Sequence, residues 1–286
     1  MSKLKFLIFA KVRKTYIDIY FKTLYIVFTM NQTISYKYIG HATTLININN
    51  TKLLTDPNFS KRLKFFFKRH SPINSILDKL NDINVILLSD TSFDHLDISS
   101  YKYISRHIPI IVPEKCNTKL TKFLSNPIIE LSSFATHTLP CGTKITAIAK
   151  PEQAGIISNI FSRKSNSYII QKNNLNVFYS ADSNYSDLFK ETGKISNIDL
   201  AIIPISGYSP KCLMQNLHLN PEQAIFAFKD LNAKHMTPLR WGTFSLSLEA
   251  LSEPIKKLEQ VIEQEPLIKD NVHIVPHGES IVLNFD

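Results

Sequence analysis

From Ile34 onward the chain is written in short apolar runs that stop abruptly in polar clusters, and this rhythm constrains the fold more than any other feature. ISYKYI, TTLINI and KLLTD follow one another closely, with Leu45 and Asn47 on one face of the second run and Ile46 and Ile48 on the other. That period of two marks half-buried strands and opens a meander. Further strand-like runs cover Val85 to Leu88, Ile110 to Val112, Ile145 to Ile148, Tyr168 to Ile170, Val177 to Tyr179 and Leu200 to Ile205. Helices are expected between and after them. Pro221 to Leu231 has Asn220 as N-cap and Pro221 at the first helical position, and Leu248 to Gln264 is a second candidate. Strands interleaved with helices imply a layered α/β sandwich.

With 286 residues, 44% of them hydrophobic, the chain can bury a sizeable core, and no internal repeat or long linker divides it. We expect one domain over 30–286 and a separate extension over 1–29. The extension mixes Lys3, Lys5, Lys11, Arg13, Lys14 and Lys22 with large apolar and aromatic residues. Its charges recur too often for a transmembrane span, which needs about 20 mostly apolar residues. It suits either a helix lying in a membrane interface or an over-extended start before Met30. The net charge of +9 favours anionic partners without choosing among them. Cys116, Cys141 and Cys212 form no paired motif, so neither a disulfide framework nor a thiolate zinc site is indicated, and a cytoplasmic, reducing location fits.

Five segments carry the chemistry, in order: YIGHATTLI (38–46), LLTDPNFS (53–60), LLSDTSFDHLD (87–97), FYSADSNY (178–185), and NLHLNPEQA with RWGTF (216–224 and 240–244); HGES (277–280) follows. Together they resemble the N-acyl phosphatidylethanolamine phospholipase D and ascorbate-phosphate lactonase branch of the metallo-β-lactamase-fold superfamily. That branch typically reads Gly-His-Ala-Thr, Thr-Asp-Pro, His-x-His-x-Asp-His-Leu-Asp, Gly-Asp-Thr-Gly and His-Trp-Gly-Thr-Phe. The resemblance implies a four-layer αββα sandwich with two zinc ions at one edge of the sheets. Its zinc lowers the pKa of a bound water and so makes a hydroxide nucleophile.

Carried over residue by residue, the resemblance gives a depleted ligand set. The first metal's histidines fall at Asp90, Ser92 and near Gln153, none of them an imidazole. The second metal's pair survives as Asp94 and His95, the bridging carboxylate as Asp182, and the last histidine has become Arg240. Hydroxyl and amide oxygens bind zinc weakly. A guanidinium has five donors and no acceptor, so it cannot coordinate at all. The expectation is therefore no metal or one divalent ion held by Asp90, Asp94, His95 and Asp182, with Asp94 and His218 as catalytic candidates and His41 and Arg240 lining the substrate pocket. Without a cation, two carboxylates about 4 Å apart would repel by roughly 4 kcal/mol at an effective dielectric near 20. Arg240 is accordingly expected to pair with Asp94 or Asp182.

Other residues have plainer readings. His41 is also explained by a hydrogen bond to a loop, Asp56 by accepting N–H groups of the metal loop, and Asp97 by capping a helix. Trp241 and Phe244 read as core anchors, and His277 as support for the last strand. In SKRLKFFFKRHSP (60–72) five basic residues surround three phenylalanines. Such a run either turns its rings inward under a solvated charged face, which is the expectation here, or presents them to an anionic membrane. No nucleic-acid-binding module is recognisable. Three functions follow as expectations: a hydrolase relative, phospholipase D-like or lactonase-like, impaired by lost imidazoles; an active hydrolase with an oxygen-rich mononuclear site; or a peripheral membrane-binding protein.

Overall fold

A computed structural model of the chain describes residues 32–73, 80, 82–116, 120, 122–149, 164–180, 182–214 and 217–285. The N-terminal extension and Gln153 lie outside the described residues. The compact unit that carries the site spans Ile34–Leu283.

Strands β1 (Gln32–Gly40), β2 (Thr43–Ile48) and β3 (Thr51–Thr55) form the antiparallel meander expected from the opening runs. A two-stranded hairpin, β4 (Arg62–Leu63) and β5 (Phe67–Lys68), interrupts before β6 (Val85–Leu87), β7 (Ile110–Pro113) and β8 (Ile128–Leu131). A second series follows: β9 (Thr136–Thr138), β10 (Lys144–Ala149), β11 (Asn166–Lys172), β12 (Leu175–Tyr179), β13 (Leu200–Pro204) and β14 (His235–Leu239). β15 (Ser280–Phe285) ends the described chain. The helices are α1 (Leu188–Ile195), α2 (Lys211–Met214), α3 (Pro221–Asp230) and α4 (Glu253–Gln264).

The strands make one sheet of order β15-β1-β2-β3-β6-β7-β8 and another of order β14-β13-β12-β11-β10-β9. Hydroxyls tie the sheets face to face: Tyr168 donates to the Leu88 carbonyl at 2.8 Å, Tyr179 to that of Ala42 at 3.0 Å, and Thr51 and Thr143 meet at 2.9 Å. Phe189 of α1, Ala224, Ile225 and Phe228 of α3, and Leu258 and Ile262 of α4 pack on Phe178, Ala201 and Ile203 of the second sheet. Tyr101, Ile104, Ile108, Leu120 and Leu124 cover Leu54, Ile86 and Val112 of the first. This is the four-layer arrangement. No helix among the described residues is long and apolar enough to cross a membrane.

Helix α3 starts as its sequence dictates. Asn220 and Gln223 form a reciprocal capping box, with Pro221 just inside it. The second expected helix begins at Glu253, not at Leu248. Glu249 is buried, and its carboxylate accepts from the Gly207 and Ser209 N–H groups at 2.5 and 3.1 Å, which holds that stretch out of helical geometry.

Strands β3, β6 and β7 run parallel, as do β12, β13 and β14. The loops leaving their C-terminal ends gather at one edge. All five motif segments lie on these loops or in the β1–β2 turn beside them.

Candidate functional site

Three carboxyl groups, three imidazoles and one guanidinium meet at this edge. Asp56 leaves β3 in a left-handed conformation, φ +35°, fully buried. Its carboxylate accepts from Ser89 N at 2.7 Å, Ser89 Oγ at 2.5 Å, Tyr179 OH at 2.7 Å and His95 Nδ1 at 2.8 Å. Asp56 thus fastens the loop after β6 to the second sheet, as expected of a carboxylate behind a metal loop. Asp97 caps the short 3-10 helix Ile98–Tyr103 by accepting from Ser99 N. Ser89 and Tyr179 were not singled out by the motifs. Their place in the network depends on the packing of the two sheets, which brings the end of β12 to β3's exit.

His95 is buried with carboxylates on both sides: beyond Asp56, its Nε2 lies 3.1 Å from Asp182 Oδ2 and 3.7 Å from Asp94 Oδ2. Burial pushes its pKa down, but Asp182, Asp94 and Asp56 outweigh that and hold it well above the usual imidazole range. Each ring nitrogen thus faces an acceptor-only carboxylate oxygen, Asp56 at Nδ1 and Asp182 at Nε2, the surroundings that favour an imidazolium. His41, in the β1–β2 turn, sits 3.2 Å from Asp94 Oδ2 through Nε2. Burial lowers its pKa, as does Arg240, against the opposing pull of Asp94. A neutral His41 donates Nε2–H to that carboxylate.

Arg240 follows β14 at φ +63° and is only 7% exposed. Its Nη2 donates to Asp94 Oδ2 at 2.9 Å, and its Nη1 pairs with Asp182 Oδ2. The ion pair expected from charge thus reaches both carboxylates. Nη1 also lies 2.6 Å from His218 Nδ1. A guanidinium only donates, so Nδ1 is the acceptor and the His218 ring proton sits on Nε2. Burial pushes both carboxyl pKa values up. For Asp94 the nearby His95, His41 and Arg240 more than reverse this, and for Asp182 the charges of Arg240 and His95 do.

Asp90 lies close enough to feel the charges of His95, Asp182 and Asp94 but is not hydrogen-bonded to them. Its Oδ1 accepts from Ser92 N at 2.8 Å, burial raises its pKa, and it has no ion pair among the described residues. Glu249, which no motif flagged, adds negative charge behind Arg240. Trp241, half-buried, stacks on Tyr38, and His277 packs against both rings, so the end of β14 is held by an aromatic cluster.

The chemistry of this donor set decides whether it fits the zinc ions of the resembled branch. Among the described residues, His41, Asp94 and His95 bring potential ligand atoms within 4.8 Å of one another. Of these, His95 has a carboxylate oxygen within hydrogen-bond distance of each ring nitrogen, His41 Nε2 faces Asp94 Oδ2, and Asp94 is paired with Arg240. A guanidinium fills the position a cation would take between Asp94 and Asp182. As arranged, these residues do not fit a dinuclear zinc centre.

Residues 51–241 match the family model described as beta-lactamase superfamily domain. The chain belongs to the beta-lactamase superfamily. Within it, the chain is 28% identical over 256 residues to the N-acyl-phosphatidylethanolamine-hydrolyzing phospholipase D 1 of Caenorhabditis elegans, covering 82% of this chain and 71% of that one. The mitochondrial N-acyl-phosphatidylethanolamine-hydrolyzing phospholipase D of Saccharomyces cerevisiae is 29% identical over 79% of this chain. The chain spans about half of that relative, 51%. Among solved structures, Igni18, a metallo hydrolase from Ignicoccus hospitalis, superposes with a TM-score of 0.68 at 16% identity, covering 89% of this chain and all of that one. That likeness establishes the fold.

Proposed function

We propose that this protein is a hydrolase relative whose metal centre has been replaced by an arginine-centred ion network, and that it does not catalyse metal-dependent ester hydrolysis. The observation that carries the reading is Arg240 bound at once to Asp94 and Asp182. A fixed positive charge there balances the carboxylates without a lone pair to bind or a water to activate. The relatives' names suggest an N-acyl phospholipid, a phosphodiester, as the class of molecule the retained cleft would bind. In this reading His218 and Asp94 position Arg240, and His41 orients Asp94.

The test is metal content after purification without chelators, paired with phosphodiesterase and lactone assays. Substoichiometric metal and background turnover are expected. Stoichiometric metal, together with turnover abolished by Asp182→Ala, would overturn the proposal. A second reading, an active hydrolase with one divalent ion, draws on the proximity of His41, Asp94 and His95. It requires a thermal shift of several degrees on addition of manganese, magnesium, iron or zinc, because an ion bound only to the native state stabilises it.

A further inference from the structure

The three phenylalanines of the 60–72 run do not all turn inward. Phe65 is 88% and Phe66 83% exposed, at the tip of the β4–β5 hairpin. Leu63 and Arg69 are the residues that point into the protein. The correction has a plain cause in the strand register. Arg62 pairs with Lys68 and Leu63 with Phe67, which leaves Lys64, Phe65 and Phe66 in the turn. Lys64 and Phe65 take left-handed φ values of +40° and +59° there. Residues in that turn have no neighbouring strand to cover them.

The hairpin base is anchored firmly. Arg69 donates from Nε to the Ser60 carbonyl at 3.0 Å, from Nη2 to the Asn58 carbonyl at 2.6 Å and from Nη1 to Ser71 Oγ at 3.0 Å. Its guanidinium lies 4.7 Å from the Phe244 ring centroid. The exposed rings are therefore presented on a fixed support. Around them Lys61, Arg62, Lys64 and Lys68 are all exposed, and the sequence has no acidic residue from Pro57 to Leu77. Lys64 Nζ sits 4.3 Å over Phe93, a partly exposed ring on the loop that carries Asp94 and His95. The patch thus adjoins the loop that carries the ion network.

Two adjacent exposed aromatic rings ringed by cations, with no anion among them, match one surface in particular. Its interior must accept apolar side chains at shallow depth and its face must be negative. We propose that the 61–68 hairpin is a docking site for an anionic phospholipid bilayer. Phe65 and Phe66 enter the boundary between headgroups and acyl chains, and Lys61, Arg62, Lys64 and Lys68 face the phosphates. The proposal rests on the hairpin's exposure and charge, and holds whether or not the cleft hydrolyses anything.

The full chain is assayed by flotation with vesicles of phosphatidylcholine alone and with 30% phosphatidylglycerol. Binding is expected to require the anionic lipid, to weaken as salt rises, and to fall at least tenfold in Phe65→Ser/Phe66→Ser. The thermal midpoint of that variant should match the parent's, because both rings are exposed. A site-specific readout separates the hairpin from the basic N-terminal segment. The indole introduced by Phe66→Trp should shift to shorter wavelength and be quenched by lipids brominated on the acyl chain, beyond the signal of Trp241 in the parent. Vesicle binding unchanged in the double serine variant, or an introduced indole untouched by brominated lipid, would overturn the proposal. So would tighter binding to a single-stranded oligonucleotide than to anionic vesicles at the same salt.

Discussion

Replacing Arg240 with methionine removes the guanidinium from a buried network and keeps most of the side chain's volume. Arg240 and Asp94 are 7% and 9% exposed at the side chain and 2.9 Å apart, and Asp182 is bound by the same group. Each unit charge at an effective separation of about 4 Å interacts with its partner by about 4 kcal/mol at a dielectric near 20. Arginine's own desolvation offsets part of the two attractions. Losing one partner of a buried pair costs about 3–5 kcal/mol, because the remaining charges stay buried and uncompensated. Urea unfolding in EDTA, followed by circular dichroism, should show Arg240→Met less stable by that amount. With a slope near 3 kcal/mol per molar, the midpoint falls by about 1 M or more. A divalent cation should then recover part of the loss, about 2.7 kcal/mol at a concentration a hundred times its Kd, while leaving the parent unmoved. If Arg240→Met unfolds within about 1 kcal/mol of the parent in EDTA, the guanidinium does not hold this site together and the ion-network reasoning fails.

Arg240→His exchanges a donor for a potential lone pair beside Asp94 and Asp182, so the variant and not the parent should gain a zinc-dependent rise in melting temperature, read by scanning fluorimetry. Asp56→Ala leaves the buried Ser89 N without its side-chain acceptor and takes away the carboxylate that His95 Nδ1 and the Tyr179 hydroxyl share; a loss of about 3–5 kcal/mol is expected in chemical denaturation. Burial lowers the His277 pKa from 6.5 to about 4, against the pull of the Trp241 carbonyl. The unfolded chain takes up that proton first, so this contribution is full above about pH 6.5 and is lost as the pH falls towards 4. Stability of His277→Gln, measured over that window, should fall less steeply than the parent's. A Cβ at Gly193 would lie 2.5 Å from the Asp230 carbonyl oxygen, so Gly193→Ala should lower stability by about 1–3 kcal/mol in urea titration.

Local patterns in the sequence determined much of the architecture. The period of two from Ile34 to Thr55 prescribed the meander, and Asn220, Pro221 and Gln223 prescribed the start of α3, because those signals act between residues a few positions apart. The ordered motifs placed Asp56, Asp94, His95, Asp182 and Arg240 near one another, and the charge of Arg240 required a carboxylate partner. Strand β14 was not legible, since Pro238 argues against a strand in HMTPL. It is tolerated because β14 lies at the edge of its sheet. Tertiary structure alone decided that Arg240 spans both carboxylates, that His95 is bracketed by acidic groups, and that Glu249 holds back the start of α4. It also decided that Phe65 and Phe66 face out. These outcomes depend on which groups from distant segments share a volume and how far water is excluded from it, and no spacing along the chain encodes either quantity.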